Sequence, residues 1–459
     1  MILPRPLPAS ASPRCAPLRS SLRLFIFTLL TGAAAAQLLP AGTRSADAPS
    51  PQDTVNAQLR AAETALENAD FPAAIAALTP LAAAQPRNPH ILYDLGFAQE
   101  HAGDDTAAAA AYTQAIAADS SIPEPRIALG LLDARHGRSD AAHRQLEAAS
   151  TLPSASPELR ARALRALATL DENAHPAAAR DELLSALKLS PETPADILLS
   201  ARLAEHAGDM ADAEAAFRRL LVLSPTDPEA TAGLAHTLSA QGKSAEAEAT
   251  LDAALKSTPT DPRLVAQLAA VYGAEGKPQQ AIPLIEALRS STPAAAADPS
   301  MSRLLAHLYL LSGDASQAEA LYRDLLAKTP TDPTLLDDLA STLVQEQKFP
   351  EAQALLSRAV SMRSAFPSDA AWADAAGHLA FAASRNGAPQ VALQALSARA
   401  TVLPNSPVTL FLEATAHDTL HQFKEAERAY HAFLAAAGGK YPDQEFQARH
   451  RLTALEHQR

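Results

Sequence analysis

The stretch Pro225–Pro262 reads PTDPEATAGLAHTLSAQGKSAEAEATLDAALKSTPTDP, and it contains the pattern that decides the fold. It begins and ends with Pro-Thr-Asp-Pro, a typical helix start, because Asp caps the first free amides and Pro fits the first helical turn. Gly242 separates two segments rich in Ala, a strong helix former. Gly past a helix end can take the left-handed conformation that closes the helix. The stretch therefore predicts two short helices joined by a glycine turn.

The period of this pattern is 34 residues, the distance from Pro228 to Pro262, and it recurs along most of the chain. Three short insertions, 157–159, 296–298 and 367–372, are needed to keep the register. The predicted units cover 55–440 and start at residues 55, 89, 123, 160, 194, 228, 262, 299, 333, 373 and 407. A period of this length indicates a repeat architecture in which each unit is one helix pair.

Fixed positions within the unit carry the residues that close helix packing requires. Position 20 is Ala in all eleven units, and position 8 is Gly or Ala in ten, with Leu167 as the exception. Small residues let two helices approach closely, and the large apolar residue at position 24 is predicted to fill the space between one pair and the next. Gly is common at position 15 and Pro at position 32, where they would end the first and the second helix.

These columns together resemble the tetratricopeptide repeat, a 34-residue helix–turn–helix unit. The resemblance covers 55–440 and implies an all-α fold, a right-handed α-α superhelix of about eleven helix pairs. The family's frequent Trp at position 4 is absent, and its Tyr at position 11 is present only as Tyr272 and Tyr309. Armadillo and HEAT units run to about 40–47 residues and fit the period less well.

The ends of the array and its longest insertion carry separate predictions. Residues 441–459 are predicted to form a C-terminal capping helix, with Phe446, Leu452 and Leu455 on its apolar side, because a stack of helix pairs must cover its last apolar face. The insertion 367–372 carries Trp372, the only tryptophan. It is predicted to be a surface loop, with a bend in the array as the alternative.

A secretory signal peptide is predicted over residues 1–36, where arginines precede a short apolar run, Leu24–Ala36, that ends in an A-x-A-type cleavage site. The run is shorter than the roughly 20 residues of a membrane-spanning helix. An inner-membrane anchor through residues 24–39 is the alternative, and membrane contact is expected only if the signal stays uncleaved. Residues 37–54, rich in Pro, Ser and Ala, are predicted to be a flexible leader. The protein is therefore expected to be exported and periplasmic or secreted.

Charge and motif content exclude several functions. The net charge is −13 and no dense run of Lys and Arg is present, so a nucleic-acid partner is not expected. Cys15, the only cysteine, precedes the apolar run and would be lost on cleavage. His417 and His421 have the spacing of zinc ligands on a helix but lack the Glu of H-E-x-x-H. No phosphate loop or nucleophile motif occurs, so the chain is not expected to be an enzyme or to hold a cofactor or metal.

The resemblance further implies that positions such as 2, 5 and 9 of the first helices line a concave groove. The candidate groove residues at or beside these positions are Arg202, His236, Arg263, Gln267, Arg303, His307, Tyr93 and Phe97. The first six would form a basic column suited to an acidic peptide or a C-terminal carboxylate. The two aromatic residues, with Phe381 and Phe411 farther along, could anchor partner side chains. Alternatively, Arg202 pairs only with Glu205 or Glu229, and the aromatic rings pack internally.

The predicted function is an exported scaffold or adaptor that binds a peptide or protein in the groove. An alternative is a structural component of an envelope assembly for secretion or polysaccharide export, in which the convex face and the ends make the contacts. An enzyme whose chemistry the motifs do not reveal is a third possibility.

Overall fold

The computed structural model describes residues 51–291 and 293–456, and the regular elements in these ranges are all helices. Eleven helix pairs follow one another in this part of the chain: α1 (Pro51–Glu67) and α2 (Phe71–Ala84); α3 (Pro89–His101) and α4 (Asp105–Ala118); α5 (Pro123–Arg135) and α6 (Ser139–Thr151); α7 (Pro157–Asp171) and α8 (Pro176–Leu187); α9 (Pro194–Ala207) and α10 (Met210–Leu223); α11 (Pro228–Ala240) and α12 (Ser244–Leu255); α13 (Pro262–Ala274) and α14 (Pro278–Ser291); α16 (Pro299–Ser312) and α17 (Ala315–Lys328); α18 (Pro333–Gln345) and α19 (Phe349–Val360); α20 (Asp369–Arg385) and α21 (Pro389–Ala400); α22 (Pro407–Thr419) and α23 (Phe423–Ala437). Three further helices lie outside the pairs: the short α15 (Pro293–Ala297), a 3-10 turn (Arg363–Ala365) and the C-terminal α24 (Pro442–Glu456).

The described residues divide into two compact units, an N-terminal unit of residues 51–230 and a C-terminal unit of residues 231–456 without 292. The division falls within α11. Successive helices pack on each other from α1 to α10 and from α12 to α24, and first helices of neighbouring pairs also touch, as α5 does with α7 and α18 with α20. The predicted all-α architecture of stacked helix pairs is confirmed in each unit.

The columns of small and large residues form the core, as predicted. The position-20 alanines are all 0% exposed: Ala74, Ala108, Ala142, Ala179, Ala213, Ala247, Ala281, Ala318, Ala352, Ala392 and Ala426. The large residues at position 24 are all buried too: Leu78, Tyr112, Leu146, Leu183, Phe217, Leu251, Ile285, Tyr322, Leu356, Leu396 and Tyr430. A Cβ added at Gly96, a position-8 residue, would lie 2.8 Å from the Tyr112 ring. Position 8 is small because position 24 of the same unit packs directly against it.

Position 15 adopts the left-handed conformation in ten of the eleven units. Seven are the predicted glycines Gly103, Gly137, Gly208, Gly242, Gly276, Gly313 and Gly387. The other three, Ala69, Gln347 and His421, have φ values of 56°, 60° and 58° despite carrying a Cβ. The unit that starts at 160 is the exception, because its position 15 is Ala174, which has no positive φ.

The Asp-Pro helix starts are confirmed by their hydrogen bonds. The carboxylate of Asp261 accepts from the backbone amides of Arg263 and Leu264 at the start of α13. Asp227 and Asp332 cap α11 and α18 in the same way. Each aspartate satisfies amides that would otherwise be free at the helix start.

Two of the three insertions lengthen first helices, whereas residues 296 and 297 end the separate short helix α15. Helix α7 begins at Pro157, and α20 begins at Asp369, ahead of the predicted unit starts. The surface-loop prediction for Trp372 is wrong, because this side chain is only 7% exposed and packs among Leu336 and Ala359. Its Nε1 donates a hydrogen bond to the Val360 carbonyl at 2.8 Å. Burial of the large indole ring stabilises the extra turn of helix.

Of the predicted N-terminal segments, only the end of the leader lies within the described residues. Residues 51–54, predicted as part of the leader, are the first turn of α1. The predicted signal peptide, 1–36, and the leader residues 37–50 lie outside the described residues. No helix within 51–291 and 293–456 combines the length and the apolar character needed to cross a membrane.

Helix α24 caps the last pair, with one correction. Leu452 and Leu455 are buried in a cluster with Tyr430 and Phe433, as predicted for the apolar side. Phe446 is 71% exposed, so its assignment to that side is wrong. It lies six residues before Leu452, which places it on a different face of a helix with 3.6 residues per turn.

Candidate partner-binding surface

The predicted groove residues are divided between the two units. Tyr93, Phe97 and Arg202 belong to the N-terminal unit, and the other five belong to the C-terminal unit. The predicted basic column therefore falls into two groups, one in each unit.

Arg202 on α9 is held by two carboxylates of neighbouring repeats. Its Nε and Nη2 donate to the two oxygens of Glu172 at 2.5 and 3.0 Å, and its Nη1 donates to Glu229 at 3.0 Å. Glu172, in the turn after α7, is only 8% exposed, so this ion pair is partly withdrawn from water. Two acids surround one guanidinium, and the local charge is therefore negative. The pairing with Glu229 matches the structural alternative raised for Arg202.

Arg303 on α16 is also engaged by the next repeat. Its guanidinium forms an ion pair with Asp338 at 2.5 Å and donates to the Thr334 hydroxyl at 3.1 Å, both on α18. His307 follows one turn later on α16, where burial and the nearby Arg303 charge lower its pKa. A neutral imidazole is favoured there, so His307 adds little positive charge to this group.

The remaining members of the column differ in exposure. His236 on α11 and Arg263 on α13 are exposed, while Gln267 is half-buried. Arg263 lies 3.6 Å from the carboxylate of Asp261, the cap of its own helix. Each arginine of the predicted column therefore has a carboxylate within ion-pair distance.

The aromatic candidates are partly used inside the fold. The Tyr93 ring lies 5.8 Å from that of Tyr112, and burial raises the pKa of Tyr93 to about 12. The Phe97 ring contacts those of His101 at 4.1 Å and Phe71 at 6.3 Å. Both candidate residues are half-buried, so each exposes only part of its side chain to solvent.

The two aromatic residues farther along the chain behave differently from each other. Phe411 packs against Tyr430 and Phe433, with ring centroids 6.2 and 5.1 Å apart, and so belongs to the core of its pair. Phe381 on α20 is 39% exposed and is therefore accessible to a partner.

Sequence reasoning missed a second polar contact next to Arg303. Asp337 on α18 is 1% exposed and lies 2.7 Å from the Nδ1 of His378 on α20. We call Arg303, Asp337, Asp338 and His378 the Arg303 surface. Asp337 and Asp338 are adjacent in the sequence, and their sequence neighbours do not indicate that each meets a different first helix.

A third polar group lies at the turn of the unit that starts at 160. His143, Asp171 and Glu182 come from α6, α7 and α8, and their ligand atoms all lie within 4.8 Å of one another. Burial, followed by the charge of Asp171, raises the pKa of Glu182 to about 7. The only sequence feature that indicates an unusual turn here is the departure of this unit from the repeat pattern, with Leu167 at position 8 and Ala174 at position 15.

Acidic groups also meet near the start of the array. Asp94 on α3 is half-buried, and burial together with the nearby Glu63 raises the pKa of Asp94 to about 7. Carboxylates that share a partly buried site disfavour each other's ionisation.

Comparison with solved structures finds similar helical repeat proteins. A tetratricopeptide repeat protein from Parabacteroides merdae is 18% identical, with 56% of this chain and 98% of that chain covered, at a TM-score of 0.44. Yeast Tom70 is 14% identical, with 89% and 96% covered, at 0.43. A monomeric mutant of IFIT1 with m7Gppp-AAAA is 14% identical, with 81% and 91% covered, at 0.52. At these identities the likeness concerns the fold alone.

Comparison with protein families gives the assignment. No match was found among curated proteins. Two family models, both described as tetratricopeptide repeat, match this chain, one at 59–122 and the other at 204–271, 274–340 and 309–379. Together these matches cover slightly more than half of the sequence and lie in both units. The chain belongs to the tetratricopeptide repeat family.

Proposed function

We propose that this protein is an exported scaffold that binds a protein or peptide partner on the first helices of its repeats. Tetratricopeptide repeats generally bind protein or peptide partners, which supports the class of function. Export rests on the sequence of residues 1–36 alone. Within the C-terminal unit the Arg303 surface is the site that we assign to the partner.

The observation that carries this proposal is the fixed, half-exposed polar chain across α16, α18 and α20. The side chains of Arg303, Asp338 and His378 are 23%, 21% and 32% exposed, and each is oriented by a contact with another repeat. Groups that are already oriented lose little conformational freedom when they bind, so more of their interaction energy appears as affinity. Guanidinium, carboxylate and imidazole groups side by side offer both donors and acceptors to an extended backbone.

The chemistry of the partner follows from these pairs. An acidic peptide or C-terminal carboxylate would have to displace Asp338 from Arg303, or Glu172 from Arg202, before it gained an ion pair. A partner segment with both donors and acceptors can instead bind around the existing pairs. The preference for an acidic partner stays a prediction from the sequence.

The test is partner capture by the tagged full-length chain from a cell-envelope extract, with identification by mass spectrometry. We expect Arg303→Gln to reduce capture at least tenfold, because it removes the charged donor at the centre of the surface. Arg323→Gln is the matched control, since Arg323 lies on α17 of the same pair and is also ion-paired, to Glu319 and Glu351. Equal capture by both variants would contradict the assigned surface.

A second candidate function is assembly through the second helices, as in a structural envelope component. It is favoured by exposed apolar side chains on two of them: Val222 and Leu223 on α10 are 80% and 60% exposed, and Leu184 on α8 is 50% exposed. This candidate predicts that Val222→Asp abolishes capture while Arg303→Gln leaves it intact.

A further inference from the structure

The unit that starts at 160 departs from the other units in its first helix and in its turn. Leu167 replaces the small residue at position 8, and Ala174 lies where ten other units have a left-handed residue. Its turn instead carries Asp171 at the end of α7 and His175 just before α8. Asp171, which His175 contacts, lies beside His143 of the preceding pair and Glu182 of α8, so side chains from three helices converge.

The distances suit a small cation with few ligands. His143 Nε2 lies 3.3 Å from Asp171 Oδ2, and one ligand atom from each of His143, Asp171 and Glu182 lies within 4.8 Å of the others. In a tetrahedral zinc site with bonds of about 2.0–2.2 Å, ligand atoms are separated by about 3.3–3.6 Å. The first pair already has this separation, and a rotation of the Glu182 side chain could close the rest.

The carboxylates of the cluster also favour the binding of a cation. Asp171 is 5% exposed, and Glu182 presents a buried Oε2 atom that has no hydrogen-bond partner. The imidazoles of His143 and His175 contact Asp171 at 3.3 and 3.2 Å. A buried carboxylate oxygen without a partner is costly, and a bound metal ion is one of the ways in which proteins compensate such groups.

We propose that this cluster binds one Zn²⁺ ion through His143 Nε2, Asp171 Oδ2 and the Glu182 carboxylate, with His175 or water as the fourth ligand. Imidazole together with carboxylate favours Zn²⁺ over Ca²⁺ and Mg²⁺, which prefer oxygen ligands alone. The other nitrogen of His143, Nδ1, lies 3.7 Å from Glu147 Oε2. Metal-bound histidines commonly have a carboxylate on that side, which orients the ring. The ion would connect α6, α7 and α8 across two repeats. This proposed site differs from the expectation, drawn from the sequence, that the chain holds no metal.

The test is a titration of the chelator-treated full-length chain with Zn²⁺, followed by calorimetry. We expect one ion per chain and a higher Tm in the zinc-bound form, since a ligand that binds only the folded state stabilises it. His143→Ala and Glu182→Gln should each weaken binding at least tenfold. His136→Ala is the matched control, because His136 contacts the single carboxylate of Asp105 at 2.7 Å outside the cluster and its loss should leave binding unchanged.

Two results of the titrations would overturn the proposal. One is the absence of saturable Zn²⁺ binding by the wild-type chain, and the other is wild-type affinity in the His143→Ala and Glu182→Gln variants. Circular dichroism of the metal-free variants checks that they fold. If they do not, X-ray absorption of the zinc-loaded wild-type protein decides: imidazole and carboxylate ligation supports the site, whereas ligation by water oxygens alone shows adventitious binding and refutes it.

Discussion

At the scale of single residues, the fold depends on a contact within each helix pair. Position 8 of the first helix faces position 24 of the second so closely that Gly96 and Gly130 have no room for a methyl group: the added Cβ would lie 2.8 Å from the Tyr112 ring and 2.7 Å from Leu146 Cγ. Both residue types were read from the sequence columns. Their direct contact follows from the packing of the two helices.

Gly96→Ala tests this contact. Overpacking a core costs about 1–3 kcal/mol, because side chains or backbone must shift. Gly377→Ala is the control, since Gly377 is also inside a helix but an added Cβ would meet only the Arg399 side chain, at 3.4 Å. The gain in helix propensity is similar at the two sites. Urea denaturation should show Gly96→Ala to be less stable than Gly377→Ala by that amount, and equal stabilities would refute the close contact.

Gln347→Gly tests the turn position. Gln347 has a φ of 60°, and an ordinary side chain in the left-handed region costs roughly 1–2 kcal/mol, part of which is offset by the greater freedom of Gly in the unfolded chain. We expect a rise in Tm. Ala174→Gly, at the one turn without a positive φ, should lower Tm instead. A similar response of the two variants would contradict the assigned conformations.

Asp94→Asn tests the raised pKa at the start of the array. The folded pKa of about 7 exceeds the ordinary value of 3.8, so the folded state binds the proton more tightly than the unfolded state. Asp94 therefore contributes to the free energy of unfolding of the wild type below about pH 4. This contribution is lost as the pH rises to about 7, by at most about 1.4 kcal/mol per pH unit. Denaturation at pH 4.5 and at pH 7.5 covers about this pH range. The free energy of unfolding of the variant, relative to that of the wild type, should be higher at pH 7.5 than at pH 4.5. A constant difference would show that Asp94 ionises normally.

At the scale of elements, the pairing of helices and the turns follow the sequence, but two helix starts do not. The period predicted each pair, yet α7 and α20 begin before their unit starts because the inserted residues continue the helix. In α20 the deciding residue is Trp372, whose ring is buried among Leu336, Ala359 and Phe366. Because Trp372 lies in an insertion, no other unit has an equivalent residue that would indicate burial. The sequence therefore predicted a loop.

Trp372→Ala should destabilise the C-terminal unit by about 3–5 kcal/mol, the usual cost of removing a buried large aromatic side chain. Phe381→Ala, on the same helix but 39% exposed, should cost much less. Far-ultraviolet circular dichroism during thermal unfolding measures both without relying on tryptophan fluorescence. Comparable losses in the two variants would mean that the indole is not part of the core.

At the scale of the whole molecule, the sequence alone determined the family, the pairing of helices, the buried alanine and large apolar columns and the left-handed turns. These features arise from contacts within one 34-residue unit, so they repeat and can be read as columns. Only the tertiary structure decided that Arg202 meets Glu172, that Arg303 meets Asp338, and that His143, Asp171 and Glu182 converge. Most of these partners lie about one repeat apart, and each pair occurs once. Side chains so separated become neighbours only when the helix pairs stack, and a contact that occurs once leaves no periodic trace in the sequence.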